Sequence, residues 1–178
     1  AADQLNRMEP FYPLHVMICS QCLLVQLEEY VAPEDIFREY AYFSSFSDTW
    51  LDHAERYVEA MTERFALGSA SRVVEVASND GYLLQYFVRR GVPSLGIEPA
   101  RNVAEEARKK GVPTISEFFG RNLARSVKDE YGAADLIAGN NVLAQVPDVN
   151  DFVAGMKILL AEHGVVTVEF PHLLRLIE

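Results

Sequence analysis

The chain has 178 residues, among them 16 Lys or Arg and 26 Asp or Glu, and its formal net charge is −10. This length suffices for one α/β domain with a small appendage, and the acidity argues against a nucleic-acid surface, which needs clustered cations. The sequence contains neither an apolar run of about 18 residues nor a charged and then hydrophobic leader, so we expect a cytoplasmic protein without a membrane span.

The chain's two cysteines, Cys19 and Cys22, form a Cys-x-x-Cys motif between two short strand-like runs. A tight turn of this kind lets two thiolates share one zinc ion, but a tetrahedral structural site needs four ligands. His15 is a candidate third ligand, although a histidine in an alternating strand more often packs or faces solvent. A thioredoxin-like role is disfavoured because a strand, not a helix, follows the motif. We therefore predict half of a zinc site within a module spanning residues 1–47.

A short helix opened by Pro33 leads into a segment rich in aromatic and hydroxyl side chains, residues 40–45, which is either a packed linker or a ligand-facing element. A longer helix is predicted from Asp48 to near Gly68. Its apolar stripe is assigned to the core and comprises Ala54, Tyr57, Val58, Met61 and Phe65. His53 lies beside this stripe, and a position facing a pocket is its less favoured alternative.

A β-branched run at residues 73–76 ends in a polar turn that contains Gly81, and an apolar helical pattern follows at once. Strand, turn and helix in this order present free backbone N–H groups to a ligand, and Asp80 can cap the helix. The next strand-like run ends at Glu98, 17 residues after Gly81. Nucleotide-binding βαβ units place a ribose-binding carboxylate at this distance.

The turn departs from the dinucleotide-binding fingerprint, because Ala77 and Asn79 stand where glycines would allow a pyrophosphate to pass. A ligand without phosphates fits better. The spacing of Glu75, Ala77 and Gly81 resembles the first motif of S-adenosylmethionine-dependent methyltransferases. The alternative is a tight turn without a ligand.

Strand and helix patterns alternate through the rest of the chain, which predicts a doubly wound, parallel α/β sheet within a domain spanning residues 48–178. Further strands are predicted at residues 112–115, 134–139 and 165–170, and helices at residues 101–110, 121–130 and 151–161. The basic run Arg108-Lys109-Lys110 closes one of these helices, where cations complement the helix dipole.

In such a sheet, ligands bind outside the C-terminal ends of the strands, so the polar strand ends should converge on one crevice. We expect Glu98 to accept the ribose hydroxyls of the cofactor, Phe118 or Phe119 to stack on adenine, and Asn140 to meet the amino acid part. The full predicted set of cofactor-binding residues is Glu75, Ala77, Ser78, Asn79, Asp80, Gly81, Glu98, Pro99, Phe118, Phe119, Asn140, Asn141 and Val142.

A series of motifs in unbroken order resembles the sugar C-methyltransferases of deoxysugar biosynthesis. They are Cys-x-x-Cys-Leu-Leu-Val-Gln-Leu from Cys19, Tyr-x-Tyr-x-Ser-Ser from Tyr40, Glu-Val-Ala-Ser-Asn-Asp-Gly from Glu75, Gly-Ile-Glu-Pro from Gly96, Asn-Asn-Val-Leu-Ala from Asn140 and Glu-Phe-Pro-His from Glu169. The resemblance implies a Rossmann-like class I methyltransferase fold and a zinc module with four cysteine ligands. It also implies a small-molecule substrate, a nucleotide-linked 4-keto-deoxysugar methylated at C3 through an enolate.

The sequence departs from that family's pattern in three ways. The family's first Cys pair would precede Ala1, Gln145 stands where the family tends to carry His, and the segment supplying the family's base would follow Glu178. The resemblance therefore implies a fragment that binds cofactor without turnover. Its candidate substrate-side residues are Tyr40, Tyr42, Gln145 and His172.

Three alternative functions stay open. An O- or N-methyltransferase for another small molecule would need no enolisation and would tolerate Gln145. A noncatalytic binding module would follow if the turn no longer held a cofactor. A nicotinamide-dependent reductase is disfavoured by Ala77 and Asn79.

The last predicted strand, residues 165–170, is apolar. If the sheet stops there, the edge of this strand faces solvent and invites pairing with another chain. We expect either self-association or cover of the edge by residues 173–178.

Overall fold

A computed structural model describes residues 8–178. The strands are β1 Met17–Ile18, β2 Val25–Gln26, β3 Val73–Val76, β4 Ser94–Ile97, β5 Thr114–Ile115, β6 Ala134–Asn140 and β7 Leu160–Glu169. The helices are α1 Pro33–Phe37, α2 Asp48–Arg64, α3 Leu84–Arg89, α4 Arg101–Lys109, α5 Arg121–Tyr131, α6 Val149–Leu159 and α7 Leu173–Ile177. Short 3₁₀ helices lie at Ser44–Phe46 and Leu143–Gln145.

The large sheet has the strand order β5-β4-β3-β6-β7, and all its neighbouring strands run parallel. The order reverses beside β3, because the chain first builds outward through β4 and β5 and then returns to β6 on the other side. Crevices at such a reversal are where open α/β sheets bind ligands. The predicted doubly wound parallel sheet is confirmed.

The sheet is buried on both faces, and each face has its own core. One face packs on α2 and α3, with Val58, Leu84 and Phe87 almost fully buried. The other face packs on α5 and α6 through residues that include Val127 and Phe152. Side chains alternate across β3, so Val73 joins the first core while Val74 and Val76 join the second. By the same alternation, Glu75 points towards the core beneath α2 and α3.

The element boundaries differ from the predicted ones where side chains cap helices. Helix α6 begins two residues earlier than predicted because Asp148 accepts a hydrogen bond from the Asp151 backbone N–H at 2.8 Å. Helix α2 begins at Asp48, as predicted, with Ser47 as its cap, but it ends at Arg64, before Gly68. The prediction that Asp80 caps α3 is wrong, because α3 begins at Leu84 with no side-chain cap.

The amino-terminal part of the described chain contains the two predicted short strands, which pair antiparallel as Met17 with Gln26 and Ile18 with Val25. Backbone hydrogen bonds between Cys19 and the residues Leu23 and Leu24 close the turn between them. Leu23, the residue after Cys22, has a positive φ of 63° within this turn.

Strand β7 forms one edge of the sheet, pairing with β6. It runs from Leu160, five residues before its predicted start, and its register shifts near Ala134. The residues that follow form α7, whose apolar side chains are largely exposed, Leu176 at 71% and Ile177 at 72%. Residues 173–178 therefore do not form a buried cover over this edge. No helix among residues 8–178 is long and apolar enough to cross a membrane.

Candidate functional site

A cavity of about 500 Å³ opens at the C-terminal ends of β3, β4 and β6. This volume lies within the usual range of small-molecule sites. Nine of the thirteen residues predicted for the cofactor line it: Ala77, Asn79, Glu98, Pro99, Phe118, Phe119, Asn140, Asn141 and Val142. Three of the predicted substrate-side residues, Tyr40, Tyr42 and Gln145, line it as well. The polar strand ends thus converge as expected, while their contact with a cofactor stays a prediction.

The other four predicted residues, Glu75, Ser78, Asp80 and Gly81, are buried behind the cavity wall and do not line it. Gly81 has a φ of +74°, and a Cβ there would lie 3.0 Å from the Val112 side chain and 3.2 Å from that of Ala107. Glycine therefore lets the turn pack against these side chains, and a role for Gly81 in cofactor binding stays a prediction.

In the turn after β3, two residues other than glycine have positive φ angles. Ala77 has a φ of 59° and Asn79 a φ of 47°, in the left-handed region that side chains other than glycine seldom adopt. The backbone N–H groups of Ala77 and Ser78 both donate to the carbonyl of Ile97 on β4, at 2.8 and 3.2 Å. The end of β4 thus fixes the shape of the turn.

Glu98 ties this turn to the start of α4. One of its carboxylate oxygens accepts the Asn79 N–H and the other accepts the Ala100 N–H, each at 2.9 Å. A carboxylate can accept about four hydrogen bonds, so Glu98 keeps acceptor capacity on the side that faces the cavity. Burial raises the pKa of Glu98, and the two backbone donors oppose that shift.

Two further carboxylates lie beneath the turn. Glu75 is completely buried, and burial, with Glu98 and Asp80 nearby, raises its pKa well above 4.5. Neither of its oxygens has a partner with full hydrogen-bond geometry among the described residues, and the nearby Tyr82 hydroxyl offsets the burial only in part. Burial therefore favours the protonated, neutral form of Glu75.

Asp80 meets a cation from the predicted basic run. Its carboxylate lies 2.8 Å from the Lys110 ammonium group, which also donates to the Ser45 hydroxyl. Arg108 donates to the carbonyl of Thr114 at 2.7 and 3.0 Å. These cations have specific partners, so the prediction that the run simply complements the helix dipole is incomplete.

Aromatic residues form much of the outer wall. Phe119 packs edge-on against Phe152, with 5.4 Å between ring centroids, while Phe118 is 41% exposed. On the opposite side, Trp50 stacks on Tyr82 at 5.8 Å, and the Tyr82 hydroxyl accepts a hydrogen bond from the Asn140 amide. Sequence reasoning missed Trp50 and Tyr82; the position of Tyr82 directly after the turn was the available signal.

Neither of the histidines considered near the site lines the cavity. His53 stacks behind Trp50 at 5.0 Å and binds the Glu169 carboxylate at 2.8 Å. His172 is exposed beyond β7, so its prediction as a substrate-side residue finds no support in this geometry. Gln145 is held by a bond from its amide to the Asn141 carbonyl at 2.8 Å, which leaves its side-chain oxygen available.

The cysteine turn has features that suit zinc. Hydrogen bonds from the backbone of Cys22 and then of Gln21 lower the pKa of the Cys19 thiol below 9.0, and zinc binds the thiolate form. Within residues 8–178, however, no group of three or more His, Cys, Asp or Glu side chains could hold a metal ion. His15 therefore does not join the two cysteines, and their role as half of a zinc site stays a prediction.

Comparison with known protein families assigns most of the chain. Residues 50–176 match a family model described as "Methyltransferase domain". The chain belongs to this methyltransferase family. Residues 1–37 match a second model, described as "Putative zinc binding domain", ahead of the methyltransferase domain. The predicted boundary between residues 47 and 48 stays a prediction.

One characterised relative of this methyltransferase domain is the C-methyltransferase NovU of Streptomyces niveus. It is 33% identical over 170 residues, which are 96% of this chain and 40% of that protein. The chain therefore spans two fifths of the length of the relative. This identity confirms the relationship to C-methyltransferases that the order of motifs predicted.

Solved structures share the fold of this methyltransferase domain. DesVI of Streptomyces venezuelae aligns with a TM-score of 0.53 at 18% identity, covering 66% of this chain and 49% of that chain. A S-adenosylmethionine-dependent methyltransferase of Thiobacillus denitrificans, solved with S-adenosyl-L-homocysteine, aligns with a TM-score of 0.51 at 18% identity, covering 76% and 52%. The predicted Rossmann-like class I methyltransferase fold is confirmed.

Proposed function

We propose that the cavity binds S-adenosylmethionine. The observation that carries this proposal is the Glu98 carboxylate, which lines the cavity with free acceptor positions. The turn beside it has Ala77 and Asn79 where the dinucleotide-binding fingerprint has glycine. A ribose with two hydroxyl donors satisfies that carboxylate. The cofactor's sulfonium and ammonium groups are cations, and they suit a cavity wall that carries the Glu98 carboxylate.

The aromatic wall has a place for adenine. Phe118 is the more exposed of the two phenylalanines, whereas Phe119 is held against Phe152. We therefore assign adenine stacking to Phe118 and core packing to Phe119. Asn140, whose amide is engaged with Tyr82, presents its backbone to the amino acid end of the cofactor.

The activity proposed for the whole protein is methyl transfer to carbon, at C3 of a nucleotide-linked 4-keto-deoxysugar. The relationship to a C-methyltransferase and the order of the motifs support it. A ketone acidifies the neighbouring C–H bond, and removal of that proton leaves an enolate that is a carbon nucleophile. When bound, S-adenosylmethionine supplies an electrophilic methyl group.

The acceptor end of the cavity would be formed by Tyr40, Tyr42 and Gln145. Their hydroxyl and amide groups can bind a sugar, and Gln145 keeps a free carbonyl oxygen for this purpose. An amide is not a base at neutral pH, so Gln145 positions the acceptor and does not remove its proton.

Two more features extend the proposal. Cys19 and Cys22 would hold a structural zinc ion together with ligands from outside the described residues. Among residues 8–178, β7 has no strand partner on its outer side, and this edge would support self-association of the chain, because it offers unpaired N–H and C=O groups.

The test is calorimetric titration with S-adenosylmethionine and S-adenosylhomocysteine. Glu98→Ala should weaken binding of both by about tenfold or more, because it removes charge-assisted hydrogen bonds. Glu105→Ala, at an exposed position of α4 outside the cavity, serves as the matched control and should bind like the wild type. Absence of saturable binding by folded wild-type protein, checked by circular dichroism, would overturn the proposal.

A further inference from the structure

The segment of residues 40–45, here called the strap, contributes Tyr40, Tyr42 and Ser44 to the lining of the cavity. Two asparagine side chains hold it through its backbone. Asn79 accepts the Ser44 N–H at 2.9 Å and donates to the Tyr42 carbonyl at 3.1 Å. Asn102, on α4, accepts the Tyr40 N–H at 3.0 Å and donates to the Tyr40 carbonyl at 2.7 Å.

The two asparagines that hold the strap, Asn79 and Asn102, lie on different structural elements. Asn102 projects from α4 and does not line the cavity. Asn79 belongs to the turn that lines the cavity, and its own backbone N–H donates to Glu98. One residue therefore touches the strap through its side chain and the predicted ribose-binding carboxylate through its backbone.

The link made by Asn79 is buried and directional. Asn79 is 7% exposed and Ser44 is 8% exposed, so water competes poorly for the bond between them. Asn79 also sits at a positive φ, a conformation that the surrounding bonds must maintain. A ligand that immobilises Glu98 and the turn would therefore also immobilise the Asn79 side-chain amide, which is hydrogen-bonded to the strap.

We propose that Asn79 is a positioning residue that couples occupancy of the cofactor site to the placement of Tyr42 and Ser44 at the acceptor end. The inference rests on the proposed cofactor site. A ligand bound at Glu98 fixes the turn, and the fixed turn holds the strap in its acceptor-binding position. Because such coupling is reciprocal, a held strap also strengthens cofactor binding.

The experiment measures hydrogen exchange of the Ser44 amide by NMR, with and without S-adenosylhomocysteine. In the wild type, the ligand should slow exchange of this amide by about tenfold. Asn79→Gly deletes both side-chain bonds while glycine keeps the positive φ without strain. In this variant Ser44 should exchange about tenfold faster without ligand, and the ligand should no longer slow it.

Three further variants separate coupling from simple loss of structure. Asn79→Asp keeps the oxygen that accepts the Ser44 N–H and should retain the ligand effect. Asn102→Ala should speed exchange at Tyr40 but leave the ligand effect at Ser44 intact. Asn122→Ala, which loses only an exposed contact with Arg125 on its own helix, should match the wild type.

Two results would overturn the inference in different ways. If calorimetry shows binding while the ligand slows Ser44 exchange equally in the wild type and Asn79→Gly, Asn79 does not couple the two ends and the proposed cofactor site survives. If calorimetry shows no binding to the folded wild type, the cofactor site fails and the coupling fails with it.

Discussion

Gly96 in the middle of β4 faces the buried Ser78 of the turn so closely that a Cβ at Gly96 would overlap the Ser78 hydroxyl. The same added atom would lie 3.1 Å from the Ser78 Cβ and 3.0 Å from the Thr114 hydroxyl oxygen. Glycine at this position is therefore what allows the turn to settle on the sheet and Glu98, two residues later, to reach the backbone of Asn79.

Replacing Gly96 with alanine should destabilise the chain by about 1–3 kcal/mol, because overpacking displaces buried atoms with little room to move. The measurement is urea unfolding followed by circular dichroism. Gly68→Ala is the matched control, since nothing lies within 4 Å of a Cβ there, and it should shift stability by less than about 0.5 kcal/mol. Equal unfolding midpoints for the two variants would refute this explanation of Gly96.

Glu75→Gln should stabilise the chain at neutral pH. Burial raises the pKa of Glu75 in the folded chain, so between the ordinary value of 4.5 and the raised value the folded state binds more protons than the unfolded state. Stability of the wild type therefore falls as pH rises through this window. The glutamine variant lacks this loss, and its advantage should reach about 1–3 kcal/mol near pH 7 and be smallest below pH 4.5.

The measurement is the free energy of unfolding in urea at several pH values from acid to neutral. Glu59→Gln changes an exposed carboxylate on α2 and should leave the pH dependence of the wild type in place. If Glu75→Gln had the same dependence of unfolding free energy on pH as the wild type, burial would not raise the pKa of the Glu75 carboxyl group in the folded chain.

Val168→Lys should reduce self-association through β7. Val168 is 43% exposed on the edge strand, and a lysine there adds charge and bulk that natural sheets use to block edge pairing. Sedimentation equilibrium should show a concentration-dependent dimer for the wild type and at least a tenfold weaker one for the variant. Val153→Lys alters a similarly exposed valine on α6 and should associate like the wild type. A wild type that stays monomeric at high concentration would contradict the proposal.

Local patterns in the sequence account for most of the architecture. The β-branched runs locate the strands, and the alternation of strands with helices implies parallel pairing and a crevice at the strand ends. The orientation of Glu75 could also have been read from the sequence. Val74 and Val76 alternate with it and belong to the core on the other face of β3, which places the Glu75 carboxylate on the face that packs on α2 and α3.

The contacts that shape the site between distant segments could not be predicted in this way. Lys110 meets Asp80 across 30 residues, and His53 meets Glu169 across 116 residues. Asn79 reaches the strap across 35 residues. Each pairing depends on how elements pack in three dimensions, and periodicity within a single element carries no information about it.

The stacking of Trp50 between Tyr82 and His53 gives the protein a built-in optical probe. Trp50 is the chain's single tryptophan, so its fluorescence has one source, and that source lies in the cavity wall. A ligand that displaces water from this wall, or that shifts Tyr82, changes the emission of Trp50 directly. Binding can thus be followed without any label, for each candidate ligand in turn.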